Sequence, residues 1–141
     1  MLSKAIEIAA RAHDGFNDKC GEPYILHPLR VMLSRKEELE RICAVLHDVI
    51  EDTELTLDDL RNEGFSEEVI LILDCLTKRP GEKYEDYISR IITNENACHI
   101  KLADLNDNMD PSRMICYDQD SEARLEKYKN AKRRILDVLF G

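Results

Sequence analysis

In AVLHDVIEDT, residues 44–53, an apolar run closes on His47, Asp48, Glu51 and Asp52. Imidazole nitrogens beside carboxylate oxygens can hold a metal ion or move protons. On a continuous helix, residues four apart share a face. His47 and Glu51 would then form one row, with Asp48 and Asp52 in the next, turned by about 100°. Acids at a helix C-terminus oppose the dipole, which favours cations there. Either the helix frays around Asp52 or a cation sits beside this polar corner.

Two distant segments carry the same chemistry. PYILHPL places His27 against a proline just before a helix is expected. IKLADLNDNMD places Asp104 among Ile100, Leu102 and Ala103 in an apolar helical repeat. A carboxylate in that setting needs a partner. Two imidazoles and two carboxylates make a mixed nitrogen–oxygen ligand set, suited to Mn2+, Fe2+ or Zn2+ rather than Ca2+.

The elements that must position these residues read as helices throughout. Residues 2–13 carry Leu2, Ala5, Ile6, Ala9 and Ala12 at helical intervals. Pro28 suits the first position of a short helix, where its missing N–H costs nothing. Leu39, Ile42, Cys43, Leu46, Val49 and Ile50 predict one amphipathic helix over 37–50. Thr56 and Asp59 form a capping box for a helix stopping at Gly64, and Ser66 caps the next. Tyr84, Tyr87, Ile88, Ile91 and Ile92 form a further stripe ending near Asn94. Residues 97–109 predict a helix stopped before Pro111, and 121–140 a last one. No segment alternates with period two. The expectation is an all-α, single-domain bundle of about seven or eight helices over residues 1–141, with 14–27, 77–83 and 110–120 as irregular walls.

The 141 residues are 43% hydrophobic, enough for a packed core. Their formal net charge of −9 argues against a nucleic-acid partner, which needs a basic face. It also means that a phosphorylated substrate needs local cations. The chain lacks an apolar stretch of about 20 residues, which a membrane span needs, and its N-terminus does not read as a secretory signal. The expected location is cytoplasmic, without a membrane partner. Cysteines 20, 43, 75, 98 and 116 are widely spaced with no CxxC, and are expected as reduced thiols, Cys43 and Cys75 as core fillers.

The order His27, His47-Asp48, Asp104 resembles the HD superfamily of metal-dependent phosphohydrolases. AHDGFNDKCGEPYILHP, AVLHDVIEDT, LTK and KLADLNDNM further resemble, over roughly residues 5–110, the hydrolase domain of RelA/SpoT proteins, which cleaves the 3′-pyrophosphate from ppGpp and pppGpp. The chain is too short to carry their synthetase domain as well, so it resembles the small stand-alone alarmone hydrolases. The resemblance implies that His27, His47, Asp48 and Asp104 hold Mn2+ and that Glu51 and Asp52 act on the attacking water. It implies further that Lys19, Asn108 and Lys78 contact the nucleotide or its phosphates.

Three positions depart from that pattern. Asp18 stands where an arginine is usual, Leu105 where a basic residue is usual, and Asp107 where a His or Tyr precedes the asparagine. They keep two alternatives open: turnover of another nucleotide or phosphorylated metabolite, and a sensor that binds a nucleotide without turnover. His13 reads as structural or as a support behind the metal ligands, His99 as a surface or core-edge residue, and Tyr84 and Tyr87 as core, while Tyr24 fits either role. Arg30, Lys101 and Arg113 read as solvated cations, and so does the run KYKNAKRR at 127–134.

Overall fold

The computed structural model describes residues 1–114 and 120–141. Its ten helical segments confirm the all-α class. They are α1 Leu2–Ala12, α2 Leu26–Leu33, α3 Glu38–Leu46, α4 Val49–Asp52, α5 Leu57–Asn62, α6 Glu67–Leu76, α7 Tyr84–Ile91, α8 Glu95–Asn108, α9 Pro111–Met114 and α10 Asp120–Phe140. No helix among the described residues is long and apolar enough to cross a membrane.

The number exceeds seven or eight for two local reasons. The helix predicted over 37–50 is broken: α3 ends at Leu46, and α4 restarts as a single turn after His47 and Asp48. A further turn, α9, opens with Pro111 inside the predicted loop 110–120, where a proline suits the first helical position. Residues 115–119 of that loop, Cys116 included, lie outside the described residues.

Caps fix the other boundaries. The Thr56 hydroxyl accepts from the Asp59 N–H at 3.1 Å while the Asp59 carboxylate accepts from the Thr56 N–H at 2.9 Å, closing the capping box of α5. Gly64, at φ +100°, turns the chain out of that helix in the left-handed region that glycine favours. Ser66 accepts from Val69 N–H at 3.3 Å, and Asn94 from Ala97 N–H at 3.0 Å. Pro28 is the third residue of α2 rather than its first, which corrects the sequence reading. It still costs no hydrogen bond, because the first four N–H groups of a helix have no partner inside it.

Helix α3 is the central element and packs against α1, α2, α6 and α8. Its Cys43, Ala44, Val45 and Leu46 are fully buried, and Ile72, Ile91, Ile100 and Leu105 close the core around it. Tyr87 is buried, and its hydroxyl donates to the Leu76 carbonyl at 2.6 Å, in keeping with its core reading. The basic run in α10 is not simply solvated. Arg134 donates to the Glu85 carbonyl at 2.9 Å and to Ser89 Oγ at 2.8 Å, tying α10 to α7. Lys127 Nζ lies 4.4 Å from the Tyr84 ring centre.

Cys43, Cys75 and Cys98 are free, the first and last buried and Cys75 partly so. Cys20 is disulfide-bonded, which corrects the expectation of five reduced thiols. Its Sγ lies 3.7 Å from the Arg113 carbonyl oxygen in α9, so tertiary proximity brings it to a distant segment where sequence spacing gave no sign.

Leu46→Ala removes a fully buried side chain from the C-terminal end of α3. It is expected to lower unfolding stability by about 2–5 kcal/mol. Urea unfolding checks this, and an unchanged midpoint contradicts the central place given to α3.

Candidate metal centre

The break between α3 and α4 builds one side of the centre. His47 is the residue after α3, and its Nδ1 lies 2.6 Å from the Ala44 carbonyl in the last turn of that helix. The same carbonyl accepts the His47 backbone N–H at 3.4 Å, and with Nδ1–H also donating there, the Nε2 edge of the ring turns inward. Asp48, the N-cap of α4, sets its Oδ2 3.1 Å from that Nε2. The expected rows of His47 with Glu51 and Asp48 with Asp52 on one continuous helix therefore do not form. The doublet sits in the joint between two helices, which lets both side chains face the core while Glu51 and Asp52 keep solvent-exposed surface on α4, the Asp52 carboxyl being that residue's more buried part.

His27 enters from α2 and Asp104 from α8. His27 Nε2 lies 2.8 Å from Asp104 Oδ1, and His47 Nε2 lies 3.2 Å from the same oxygen. His27, His47 and Asp104 are all buried, and their ligand atoms lie within 4.8 Å of one another. Asp48 Oδ2 borders this group at 3.7 Å from His27 Nε2.

The chemistry of this donor set fits a cation. A neutral imidazole donates from one nitrogen and accepts at the other. Both Nδ1 atoms already face acceptors, the Ala44 carbonyl for His47 and the Asp107 carboxylate, at 2.6 Å, for His27. Each Nε2 then directs a lone pair at the Asp104 carboxylate. Such a pocket is stable only with positive charge in its middle, from added protons or from one metal ion.

The titration of the groups follows the same logic. Burial lowers the pKa of His47, but the charges of Asp48 and Asp104 and their hydrogen bonds outweigh it and hold the ring well above its ordinary value. His27 behaves likewise: burial lowers it, while Asp104 and Asp107 raise it further. Burial raises Asp104, yet Lys101 and His47 keep its carboxylate well below the usual range. Lys101 Nζ sits 2.8 Å from Asp104 Oδ2, one turn away on α8.

Several residues are placed otherwise than the sequence suggested. Lys101 is buried in its pair with Asp104 rather than solvated. Arg30 donates from Nε to Asp107 Oδ1 at 2.8 Å and from Nη2 to Oδ2 at 3.2 Å, and Arg113 Nη2 lies 3.1 Å from Oδ1. Both arginines are therefore paired. Tyr24, left open by the sequence, donates its hydroxyl proton to Asp48 Oδ2 at 2.5 Å. The Lys101–Asp104 spacing of three was a readable signal, since such pairs share a helix face. The Tyr24 and Asp107 contacts, between residues 24 and 80 apart, had none.

The three departures divide. The Asp18 carboxylate is spent inside its own turn, accepting from Cys20 N–H at 2.9 Å and Glu22 N–H at 3.0 Å. Leu105 is fully buried core. Of the three, Asp107 is the one whose side chain meets the metal-ligand group.

A cleft of about 330 Å³ opens beside His27, lined in part by Lys19, Tyr24, Asn108 and Arg124. Asn108 Nδ2 lies 3.3 Å from Asp104 Oδ1. Lys78 lies apart from this wall. Its backbone N–H donates to Glu51 Oε1 at 3.0 Å, beside a separate hollow that Glu51 and Lys78 share. Partial burial, with Asp48 and Glu51 nearby, pushes the Asp52 carboxyl up to about 6. His13 is buried with neither ring nitrogen hydrogen-bonded, 5.0 Å from the Tyr24 ring. His99 is partly buried at the core edge, 3.8 Å from Glu95.

The chain is similar in sequence and in fold to known proteins. No family model matches the chain. It is 34% identical, over 77% of its length, to a guanosine-3′,5′-bis(diphosphate) 3′-pyrophosphohydrolase of Aquifex aeolicus. It is 32% identical, over 98% of its length, to a GTP pyrophosphokinase of Streptomyces coelicolor. The chain spans 17% of each of these relatives. A solved structure of a metazoan SpoT orthologue, described as hydrolysing ppGpp and playing a role in starvation responses, superposes with a TM-score of 0.77. At 23% identity, and covering 99% of this chain and 85% of that one, it shows the shared fold. The chain is therefore similar to RelA/SpoT-type proteins over 17% of their length, and its His–His-Asp–Asp constellation sits on the fold that it shares with the SpoT orthologue.

Proposed function

We propose that residues 1–141 act as one cytoplasmic HD-type domain that hydrolyses (p)ppGpp, releasing pyrophosphate from the 3′ position and leaving GDP or GTP. The observation that carries this reading is the buried His27–His47–Asp104 group, with Asp48 at its border, opening on a cleft with cationic walls in an acidic chain. His27, His47, Asp48 and Asp104 would hold one divalent ion, Mn2+ in this reading, with Fe2+ or Zn2+ as other ions suited to the set. Bound there, it supplies Lewis-acid polarisation of a phosphoryl oxygen and lowers the pKa of water.

The residues of the chain do the rest. Lys101 offsets one charge of Asp104, and the Tyr24 hydroxyl fixes the Asp48 carboxylate. Glu51 and Asp52 orient the attacking water and take its proton as its oxygen bonds to the 3′ phosphorus and the bond from that phosphorus to the ribose 3′-oxygen breaks, and the departing 3′-oxygen takes up a proton to leave the 3′-hydroxyl. Glu51 is held for this by the Lys78 N–H, and a carboxyl raised to about 6, as Asp52 is, suits proton transfer near neutral pH. Lys19 and Asn108 contact the nucleotide from the cleft wall. Asp107, with Arg30 and Arg113, favours a second reading in which the same machinery serves another nucleotide or phosphorylated metabolite.

Purified protein supplied with Mn2+ and ppGpp is expected to release pyrophosphate. Turnover of another nucleotide with none from ppGpp supports the second reading, and tight ppGpp binding without turnover supports a sensor. Asp104→Ala is expected to abolish bound metal and activity together, measured by metal analysis and turnover. Glu51→Gln is expected to keep the metal and slow turnover by about 10²–10⁴-fold, the usual scale of acid–base help. Normal turnover by that variant contradicts its role.

A further inference from the structure

We propose that Asp107 is a positioning residue for His27: its carboxylate takes the Nδ1–H of the ring so that Nε2 faces the metal position, and Arg30 and Arg113 hold the carboxylate there. This rests on the reading of His27, His47, Asp48 and Asp104 as a divalent-metal site.

Helix α8 brackets the ring. Asp104 and Asp107 are three residues apart and share a face of that helix. Asp104 Oδ1 meets His27 Nε2 at 2.8 Å, and Asp107 Oδ2 meets Nδ1 at 2.6 Å. An ionised carboxylate only accepts, so Nδ1 donates to Asp107, while Nε2, facing the Asp104 carboxylate, carries a second proton there or gives its lone pair to a metal ion in that proton's place. His47 has the same requirement and meets it with the Ala44 carbonyl, also at 2.6 Å. Both rings thus have an acceptor behind them and Nε2 in front, as ligating imidazoles do: the outer partner fixes the ring and raises its basicity.

A carboxylate alone could swing away from the ring, and the arginines prevent this. Arg30 reaches both Asp107 oxygens, at 2.8 Å and 3.2 Å, as a two-point clamp. Arg113 adds a contact at 3.1 Å from α9. Arg30 lies three residues after His27 on α2, so one helix carries the ring and the clamp while another carries both carboxylates. Helices α2 and α8 therefore set the angle of the ring, with Arg113 of α9 bracing the carboxylate.

A carboxylate that merely staples α2 and α9 to α8 would share these contacts but would not influence metal affinity. Calorimetric titration of metal-stripped protein with Mn2+ alone separates the two, with thermal unfolding of the metal-free proteins in parallel. Asp107→Ala is expected to weaken Mn2+ binding by about 10–100-fold, the usual scale for losing such an outer partner. Asp107→Asn keeps an oxygen acceptor for Nδ1–H and is expected to fall between Ala and the parent. Parental affinity in both variants overturns the proposal, whatever happens to their thermal midpoints. Should the Ala variant not fold, the Asn variant decides: weakened binding supports the proposal and parental binding overturns it. A parent that takes up no Mn2+ removes the metal reading and this inference together, whereas equal binding by parent and variants removes this inference alone.

Discussion

Asp104 is a carboxylate that the fold has sealed from water, with 4% of its surface exposed, and it meets four nitrogens. Lys101 and His27 approach at 2.8 Å, His47 at 3.2 Å and Asn108 at 3.3 Å. A buried charge left without such partners costs several kcal/mol. Helices α2, α3 and α8 must therefore meet where they do, and the core of α3 gives them a rigid surface to meet on. The imidazoles are turned by acceptors on their outer edges, so that the inner edges can share a positive charge. In this sense the demand of one carboxylate organises a centre whose parts are drawn from most of the chain.

Local and global electrostatics run opposite ways here. The whole chain carries −9, which repels a phosphorylated ligand at long range. The cleft beside His27 gathers Lys19, Arg30, Arg113 and Arg124. Arg30 and Arg113 are tied to Asp107, so much of their charge serves the inner arrangement rather than a free ligand. A divalent ion at the bottom would add the positive charge that these pairs have spent.

Helical periodicity and capping residues placed most of the elements because they act locally: the Thr56–Asp59 box and the Ser66 cap appear where the sequence puts them. The helix break at His47–Asp48 was not legible, since the apolar repeat runs across it from Leu46 to Val49. What breaks the helix is the turn of two side chains toward partners on α2 and α8, which is tertiary. The order of His27, His47-Asp48 and Asp104 could be read as a ligand set. The outer contacts could not, because Arg30 and Asp107 are 77 residues apart and each looks like an ordinary surface charge. Position 107 could be seen as unusual. Its meeting with the His27 ring depends on how α8 lies against α2.

Anomalous diffraction at the manganese edge, on crystals grown with Mn2+, addresses the central claim most directly. The account predicts a single strong peak coordinated by His27, His47, Asp48 and Asp104. No peak there, or a peak held by other residues, contradicts it.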